Sequence, residues 1–167
     1  LEKVNIFDEE KLKTLIKHSD VVINLVGILY ENKKQKFENI HAKFPDLLSK
    51  LCNELKIEKF VHISALGINE TVSSQYMQSK LKGEKNILNN FNHSVILRPS
   101  LVFGPEDQFF NKFASLAEFL PALPLIGGGQ TKFQPIYVLD LCKAIVAVLD
   151  KEEVKENIYE LGGSQIF

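Results

Sequence analysis

Short apolar runs alternate along the chain with longer segments whose apolar side chains recur at helical spacing. The clearest runs cover residues 20–27, 59–64 and 93–100, and a segment of the helical kind separates each from the next. Runs that are apolar throughout are typical of parallel strands buried on both faces. Strands that alternate with helices form βαβ units, so the pattern predicts an α/β fold built on a parallel sheet.

Weaker signals extend this alternation toward both ends of the chain. Pro45 lies inside one predicted helix, which indicates a kink or a late start there. No shift of composition marks a linker, and 167 residues suit one domain, so residues 1–167 are predicted to form a single unit. The further strands are predicted over residues 3–7, 134–138 and 157–161, the helices over 8–19, 35–55, 73–91, 108–119 and 139–150, and a loop over 120–131.

The charge balance and the positions of cysteine and histidine argue against several classes of protein. The net charge is −1, which offers no electrostatic footprint for nucleic acid. No apolar run reaches the roughly 18–20 residues of a membrane-spanning helix, so no transmembrane segment is predicted. Two distant cysteines and four scattered histidines predict neither a disulfide nor a metal site, and free thiols suit a reducing compartment.

Polar and small residues follow three of the predicted strands. They occupy residues 24–27, 64–67 and 98–107. In parallel α/β sheets, ligands bind at the carboxyl ends of the strands. We therefore expect a ligand site at this edge of the sheet.

Tyr76 and Lys80 are four residues apart in a predicted helix, which places both side chains on one helical face. A free tyrosine ionises near pH ~10. An ammonium group beside it favours the phenolate and brings the phenol closer to acid–base work. The spacing by itself also fits a pair that faces solvent.

The motif around Tyr76 resembles one of a known family. Tyr76-Met-Gln-Ser-Lys80 with Glu84 is similar to the Y-x-x-x-K-x-x-x-E motif of the extended short-chain dehydrogenase/reductase family. Residues 97–105 resemble its segment LRP-x-x-V/I-Y/F-G-P, and residues 20–27 resemble its fourth strand. The resemblance implies a Rossmann-like, doubly wound parallel sheet that binds NADP or NAD, with Tyr76 as acid/base and Lys80 as its activator.

The same resemblance implies a set of site residues. Arg98, the only arginine of the chain, has two interpretations: it contacts an anionic substrate or phosphate, or it pairs with a helix carboxylate and braces the sheet. The predicted cofactor-binding residues are Asn24, Val26, Gly27, Ser64, Tyr76, Lys80, Pro99 and Ser100, and the predicted substrate-side residues are Ala65, Leu66 and Arg98.

Two departures from the family pattern bear on function. The family opens with a glycine-rich first βαβ unit that holds the pyrophosphate, and this sequence shows no such motif, so the domain is predicted to be N-terminally truncated. Residues 127–129 are three glycines, but they fit a loop better. Leu66 stands where catalytic members carry serine or threonine, and leucine cannot donate a hydrogen bond to a substrate oxygen.

Further strings resemble an atypical branch of the family, which includes the NAD(P)H-binding accessory subunit of respiratory complex I and its bacterial relatives. They are residues 26–29, 62–67, 98–100, 103–107, 110–114 and 134–138. The resemblance favours NADPH and implies weak or no catalysis. It also implies a respiratory-complex or membrane-associated partner for a bacterial cytoplasmic protein at the inner membrane. Two alternatives remain: an active NAD(P)-dependent epimerase, dehydratase or reductase, and a truncated product without function.

Overall fold

A computed structural model describes residues 2–71, 73–107, 132–151 and 154–167. The predicted helix over residues 108–119, the loop over 120–131 and its three glycines lie outside these residues. The helices are α1 (Glu9–Ile16), a π-helix (Glu38–Lys43), α2 (Phe44–Glu54), α3 (Gln75–Asn90) and α4 (Val138–Leu149), and the strands are β1 (Val21–Asn24), β2 (Lys59–Ile63), β3 (Ser94–Pro99), β4 (Val102–Phe103), β5 (Ile136–Tyr137) and β6 (Ile158–Leu161).

Four of the strands form one parallel sheet in the order β1-β2-β3-β6. Asn24 at the end of β1 lies opposite His62 of β2, and Ile63 lies opposite Leu97 of β3. The short strands β4 and β5 form a separate parallel pair. The predicted α/β fold with a parallel sheet is confirmed.

Helices cover both faces of this sheet. On one face, Phe60 and Ile96 pack against side chains of α2 and α3, including Leu51 and Ile87. The opposite face buries its own set of apolar side chains, Val61, Val95, Leu97 and Val148, where the last of these belongs to α4. Neighbouring strand residues point to opposite faces, so β2 and β3 supply both cores. The arrangement is the doubly wound one that the resemblance implied.

Residues 3–7 do not form the predicted strand. The Asn5 side chain accepts a hydrogen bond from the backbone N–H of Phe7 at 3.1 Å, and Asp8 N–H donates to Asn5 O at 2.9 Å. Both bonds turn the chain immediately before α1, whose first turn is capped by Asp8. Local asparagine bonding of this kind competes with strand formation, and here it prevails.

The predicted helix over residues 35–55 begins with a π-turn. The π-helix ends at Lys43, and the backbone N–H of Phe44 donates to Asn39 O, five residues earlier. Pro45 follows at once. In a regular α-helix the ring of Pro45 would clash with the carbonyl of His41. Proline also has no backbone N–H that could donate a hydrogen bond to that carbonyl. A wider turn avoids that clash, and such turns are frequent at functional sites.

Lys59 binds the carboxyl end of helix α4. At the start of β2, Lys59 Nζ donates to the backbone carbonyls of Val148, Leu149 and Lys151 at 2.9, 3.1 and 2.6 Å. This lysine caps the carboxyl end of α4, where orphan carbonyls favour a cation.

Among the helices of the described ranges, none has both the length and the apolar character needed to cross a bilayer.

Candidate functional site

Six buried polar side chains gather near the carboxyl ends of β1 and β2, and we call them the strand-end cluster. All are at most 7% exposed, although buried polar groups are costly unless they are hydrogen-bonded. The strand-end cluster consists of Asn24, His41, His62, Ser64, Ser79 and Lys80. Three of these, Asn24, Ser64 and Lys80, are among the residues that the sequence predicted to bind a cofactor, so the fold brings them together.

Asn24 and His62 form the base of the strand-end cluster. Asn24 Oδ1 accepts from the backbone N–H of Val26 at 3.0 Å, so its Nδ2 donates to His62 Nδ1, also at 3.0 Å. His62 Nε2 therefore carries the ring hydrogen, and it has no partner among the described residues. Burial, followed by the charge of Lys80, lowers the pKa of His62 to about 3. The ring is neutral.

Lys80 reaches into the strand-end cluster from α3. Its Nζ donates to the carbonyl of Ile63, at the end of β2, at 3.1 Å. An ammonium has three donors, and this is its one hydrogen bond within the described part of the chain. Burial lowers the pKa of Lys80 to about 8, although the nearby charge of Glu84 opposes that shift. Lys80 is thus a buried cation with donors to spare.

His41 lies between the loop after β1 and helix α3. Its Nε2 accepts from the backbone N–H of Ile28 at 3.1 Å, and its Nδ1 lies 3.0 Å from Ser79 Oγ. Burial, followed by the charge of Lys80, lowers the pKa of His41 to about 4, so the ring is neutral. The ring stacks on Phe37 at 5.3 Å and meets the edge of Tyr76 at 5.2 Å.

The environment of Tyr76 differs from the sequence-based expectation. We expected the ammonium of Lys80 to lower the pKa of the phenol. In the structure, burial raises the pKa of Tyr76. The expectation is wrong because desolvation of the phenolate outweighs any help from Lys80.

Gly27 and Val26 occupy an exposed loop in front of Lys80. A methyl group added at Gly27 would stand 3.6 Å from Lys80 Nζ and 3.8 Å from His41 Nε2. Both are ordinary van der Waals distances, so a Cβ would fit without a clash, and its absence leaves the space before these two nitrogens open. Val26 is 37% exposed and its neighbour Leu25 is 66% exposed, and both present apolar surface at the same strand end.

The ends of β2 and β3 position the remaining predicted site residues. Ser64 N–H donates to Leu97 O at 2.8 Å, and Leu66 N–H donates to Pro99 O at 2.9 Å. Ser100 N–H donates to Leu161 O of β6 at 2.8 Å, and the Oγ of buried Ser64 has no partner in the described ranges. Ala65 and Leu66 are half-buried there. The backbone thus fixes Ser64 beside Leu97 and Leu66 beside Pro99.

Arg98 forms a buried ion pair with α3. Its Nε and one terminal nitrogen donate to the two carboxylate oxygens of Glu84 at 3.0 and 2.6 Å. Glu160 of β6 accepts from the other terminal nitrogen at 3.3 Å but is itself exposed. Glu84 raises the pKa of the Arg98 guanidinium. These contacts are those of the bracing interpretation, and a substrate-side role for Arg98 stays a prediction.

Sequence reasoning missed His41, Ser79 and Gly83. The histidines were interpreted as scattered. The hydrogen-bond partners of His41 lie 13 and 38 residues away along the chain, so the sequence did not reveal these contacts. A methyl group at Gly83 would overlap the carbonyl of His41, so glycine lets α3 approach the π-helix closely. The available signal was Pro45, which follows His41 by four residues and disturbs the helix there.

Curated relatives align with almost the whole chain. One is NADH dehydrogenase (ubiquinone) 1 alpha subcomplex subunit 9, mitochondrial, from Arabidopsis thaliana, which is 36% identical and aligns over 96% of this chain and 40% of that protein. The protein of the same name from Mus musculus is 39% identical and aligns over 83% of this chain and 37% of its own length. The protein of the same name from Dictyostelium discoideum is 30% identical over 99% of the chain and 46% of its own length. The chain thus spans less than half the length of these relatives.

Solved structures share the fold. UDP-glucuronic acid 4-epimerase from Bacillus cereus in complex with NAD matches with a TM-score of 0.83 and 24% identity, covering 99% of this chain and 61% of that one. dTDP-4-dehydrorhamnose reductase from Bacillus anthracis in complex with NADP matches with a TM-score of 0.79 and 15% identity, covering 98% of this chain and 64% of that one. Both are Rossmann-like, so they confirm the fold class.

A family model settles the assignment that the motifs indicated. The model of the NAD dependent epimerase/dehydratase family matches residues 1–162. That range includes Tyr76, Lys80, Glu84 and Arg98, on which the resemblance to the extended short-chain dehydrogenase/reductases was based. The chain belongs to the NAD dependent epimerase/dehydratase family.

Proposed function

We propose that this chain carries the nicotinamide-side part of an NAD(P)(H) site and binds the dinucleotide with weak or no catalysis. The observation that carries the proposal is Lys80, a buried cation with unused donors at the carboxyl ends of β1 and β2. A cation held in this way is suited to donate hydrogen bonds to the hydroxyl oxygens of a ribose. Its pKa of about 8 leaves it mostly protonated at neutral pH.

The residues at this edge fit a dinucleotide. Gly27 leaves the space before Lys80 open, and Val26, the preceding residue, presents exposed apolar surface. The buried hydroxyl of Ser64 is a further polar group at the same strand ends that has no hydrogen-bond partner among the residues described. In our proposal Lys80 and Tyr76 hold the nicotinamide ribose, while Asn24, Val26, Gly27, Ser64, Pro99 and Ser100 line the nucleotide. When bound, the nicotinamide supplies or accepts a hydride.

Weak catalysis is proposed on two grounds. Leu66 offers no hydrogen bond to a substrate oxygen, and the loss of such a donor typically costs about 3 kcal/mol of transition-state stabilisation. The raised pKa of Tyr76 also keeps its phenol protonated well above neutral pH. Tyr76 is therefore suited to donate a hydrogen bond rather than to abstract a proton. We favour NADPH over NAD from the family resemblance.

The experiment that tests the proposal is a titration of NADPH followed by its fluorescence. It compares the 167-residue chain with the longest chain that its reading frame encodes. Binding by either form supports the proposal. Binding by neither would overturn it and favour the alternative of a product without function.

Gly27→Ala is expected to weaken NADPH affinity by about tenfold, or roughly 1.4 kcal/mol. The added methyl group would fill the space before Lys80, where we place the ribose. Its nearest neighbours would lie at 3.6 and 3.8 Å, so the unfolding temperature should stay unchanged. Fluorescence titration and thermal melting of the same sample measure the two quantities. Unchanged affinity would show that the dinucleotide does not enter this space.

Tyr76→Phe is expected to leave NADPH affinity within about threefold, because a single hydroxyl hydrogen bond contributes roughly 0.5–1.5 kcal/mol. Phenylalanine retains the ring contacts with Phe37 and His41. The matched comparison is Lys80→Met, which removes the cation and should weaken binding more than about tenfold. Complete loss of binding in Tyr76→Phe would contradict the ribose-side role given to Tyr76.

The second candidate function is that of an active NAD(P)-dependent epimerase, dehydratase or reductase. Tyr76 and Lys80 support it, since both match the motif of catalytic members. Leu66→Ser separates the candidates: in the accessory protein it should raise the turnover of hydroxyl or keto substrates above that of the natural chain, which we expect to be weak or absent. Turnover by the natural chain itself, followed by absorbance of NADPH, would favour the enzyme.

We further propose a membrane-associated respiratory complex as the partner. The support is the name of the curated relatives, which are mitochondrial NADH dehydrogenase subunits. A cytoplasmic location in a bacterium, peripheral to the inner membrane through that partner, follows from the same proposal. Co-purification of the chain with a membrane NADH dehydrogenase from its own cells tests both. Recovery of the chain free of that complex would argue against them.

A further inference from the structure

We propose that His41 is a positioning residue that ties the loop after β1 to the helix carrying Tyr76 and Lys80. The inference rests on the proposed dinucleotide site and extends it by a residue outside the family motif. One side of the imidazole holds the backbone of Ile28, next to Gly27, and the other side meets Ser79 of α3. His41 therefore fixes the distance between the two walls of the proposed site.

The hydrogen bonds assign one tautomer to His41. Ile28 N–H donates to Nε2, so Nε2 carries no hydrogen and Nδ1–H donates to Ser79 Oγ. The Ser79 hydroxyl then donates onward to the carbonyl of Tyr76 at 2.7 Å. A directed chain of bonds thus runs from the loop after β1 to the backbone of Tyr76.

Aromatic packing holds the ring of His41 in this orientation. Phe37 stacks on it with an interplanar angle of 18°, and Tyr76 meets it edge-on at 88°. The charged and titratable groups that face it are Lys80 and Tyr76 from α3 and His62 from β2. The neutral form is the one that can accept from Ile28, and burial together with the Lys80 charge favours that form.

The π-helix and Gly83 bring His41 into place. The π-turn includes an extra residue just before α2, and His41 within it is only 1% exposed. Gly83 admits the carbonyl of His41 against α3, at a distance that a Cβ would forbid. A π-turn is rare and glycine lowers helix propensity, yet both occur where His41 packs against α3.

Two substitutions separate the two sides of the ring. In His41→Gln the amide oxygen can take the place of Nε2 and accept from Ile28. In His41→Asn the shorter amide reaches the position of Nδ1 and can donate to Ser79, but nothing meets Ile28. Amide hydrogen exchange of Ile28 by NMR reports the tie to the loop, and NADPH fluorescence titration reports the site. Both use the longest chain that the reading frame encodes.

We expect His41→Gln to keep Ile28 protected and NADPH affinity within about threefold, whereas His41→Asn exposes Ile28 and weakens NADPH about tenfold. Equal affinity in the natural chain and His41→Asn would overturn the positioning role alone. Absence of NADPH binding in the natural chain would overturn the proposed function itself. Should His41→Asn not fold, His41→Leu takes its place: it fills the same buried space without an acceptor for Ile28, and Ser79 keeps its bond to the carbonyl of Tyr76. It should expose Ile28 and weaken NADPH about tenfold, and unchanged affinity counts against the proposal.

Discussion

Glu84→Gln is expected to lower the free energy of unfolding by about 3 kcal/mol, because it leaves the charge of Arg98 without its buried partner. The Arg98 side chain is 14% exposed and that of Glu84 is 2% exposed, so water cannot replace the lost carboxylate well. Glu84 also lies one helical turn after Lys80 and joins α3 to β3 through Arg98. Urea unfolding at neutral pH measures the change.

The matched control is Glu160→Gln. This carboxylate contacts the same guanidinium at 3.3 Å, but its side chain is 53% exposed. Exposed ion pairs contribute about 0–1 kcal/mol, so the control should unfold at nearly the same urea concentration as the natural chain. Equal losses in the two variants would show that burial does not decide the energetics of this network.

Gly83→Ala is the second substitution with a large expected effect. Alanine in place of glycine usually stabilises a helix by roughly 0.5–1 kcal/mol. At this position the added Cβ would overlap the carbonyl of His41, and the carbonyl carbon would lie 3.0 Å away. A backbone group cannot rotate aside as a side chain can, so α3 and the π-helix must separate. Overpacking of this kind costs about 1–3 kcal/mol, which outweighs the gain in helix propensity.

Thermal or urea unfolding of Gly83→Ala should therefore show net destabilisation, with loss of protection at the Ile28 amide as His41 moves. Asn89→Ala is a suitable control, since residue 89 is an exposed position of the same helix. The control should change the free energy of unfolding by less than about 0.5 kcal/mol. A stabilised Gly83→Ala would mean that the contact between α3 and the π-helix is looser than described.

Much of the fold could be predicted because its signals are local. The apolar runs over residues 20–27, 59–64 and 93–100 contain β1, β2 and β3, and the predicted helix over 73–91 contains α3. Strand and helix periods are properties of neighbouring residues. Residues 3–7 were the exception, because the side chain of Asn5 bonds to the backbone of Phe7 and turns the chain.

The candidate site could be predicted only in part. The spacing of Tyr76 and Lys80 placed them on one face of α3, and the position of Leu66 after β2 followed from the motif alone. The direction of the Tyr76 pKa could not be obtained in this way. Spacing indicates that an ammonium is near, whereas the degree of burial, which raises the pKa, depends on what packs around the phenol.

By itself, the amino-acid sequence determined the alternation of β1, β2 and β3 with α2 and α3, the family and the residues at the strand ends, but neither the turn at residues 3–7 nor β4. The tertiary structure alone decided that Arg98 pairs with Glu84, and that His41 joins Ile28 to Ser79. Both arrangements depend on groups from separate elements, 13 to 38 residues apart, meeting in a buried space. Hydrogen bonds and ion pairs act over a few ångströms. These partners could therefore be identified only once the packing of α3 against the π-helix and the sheet was known.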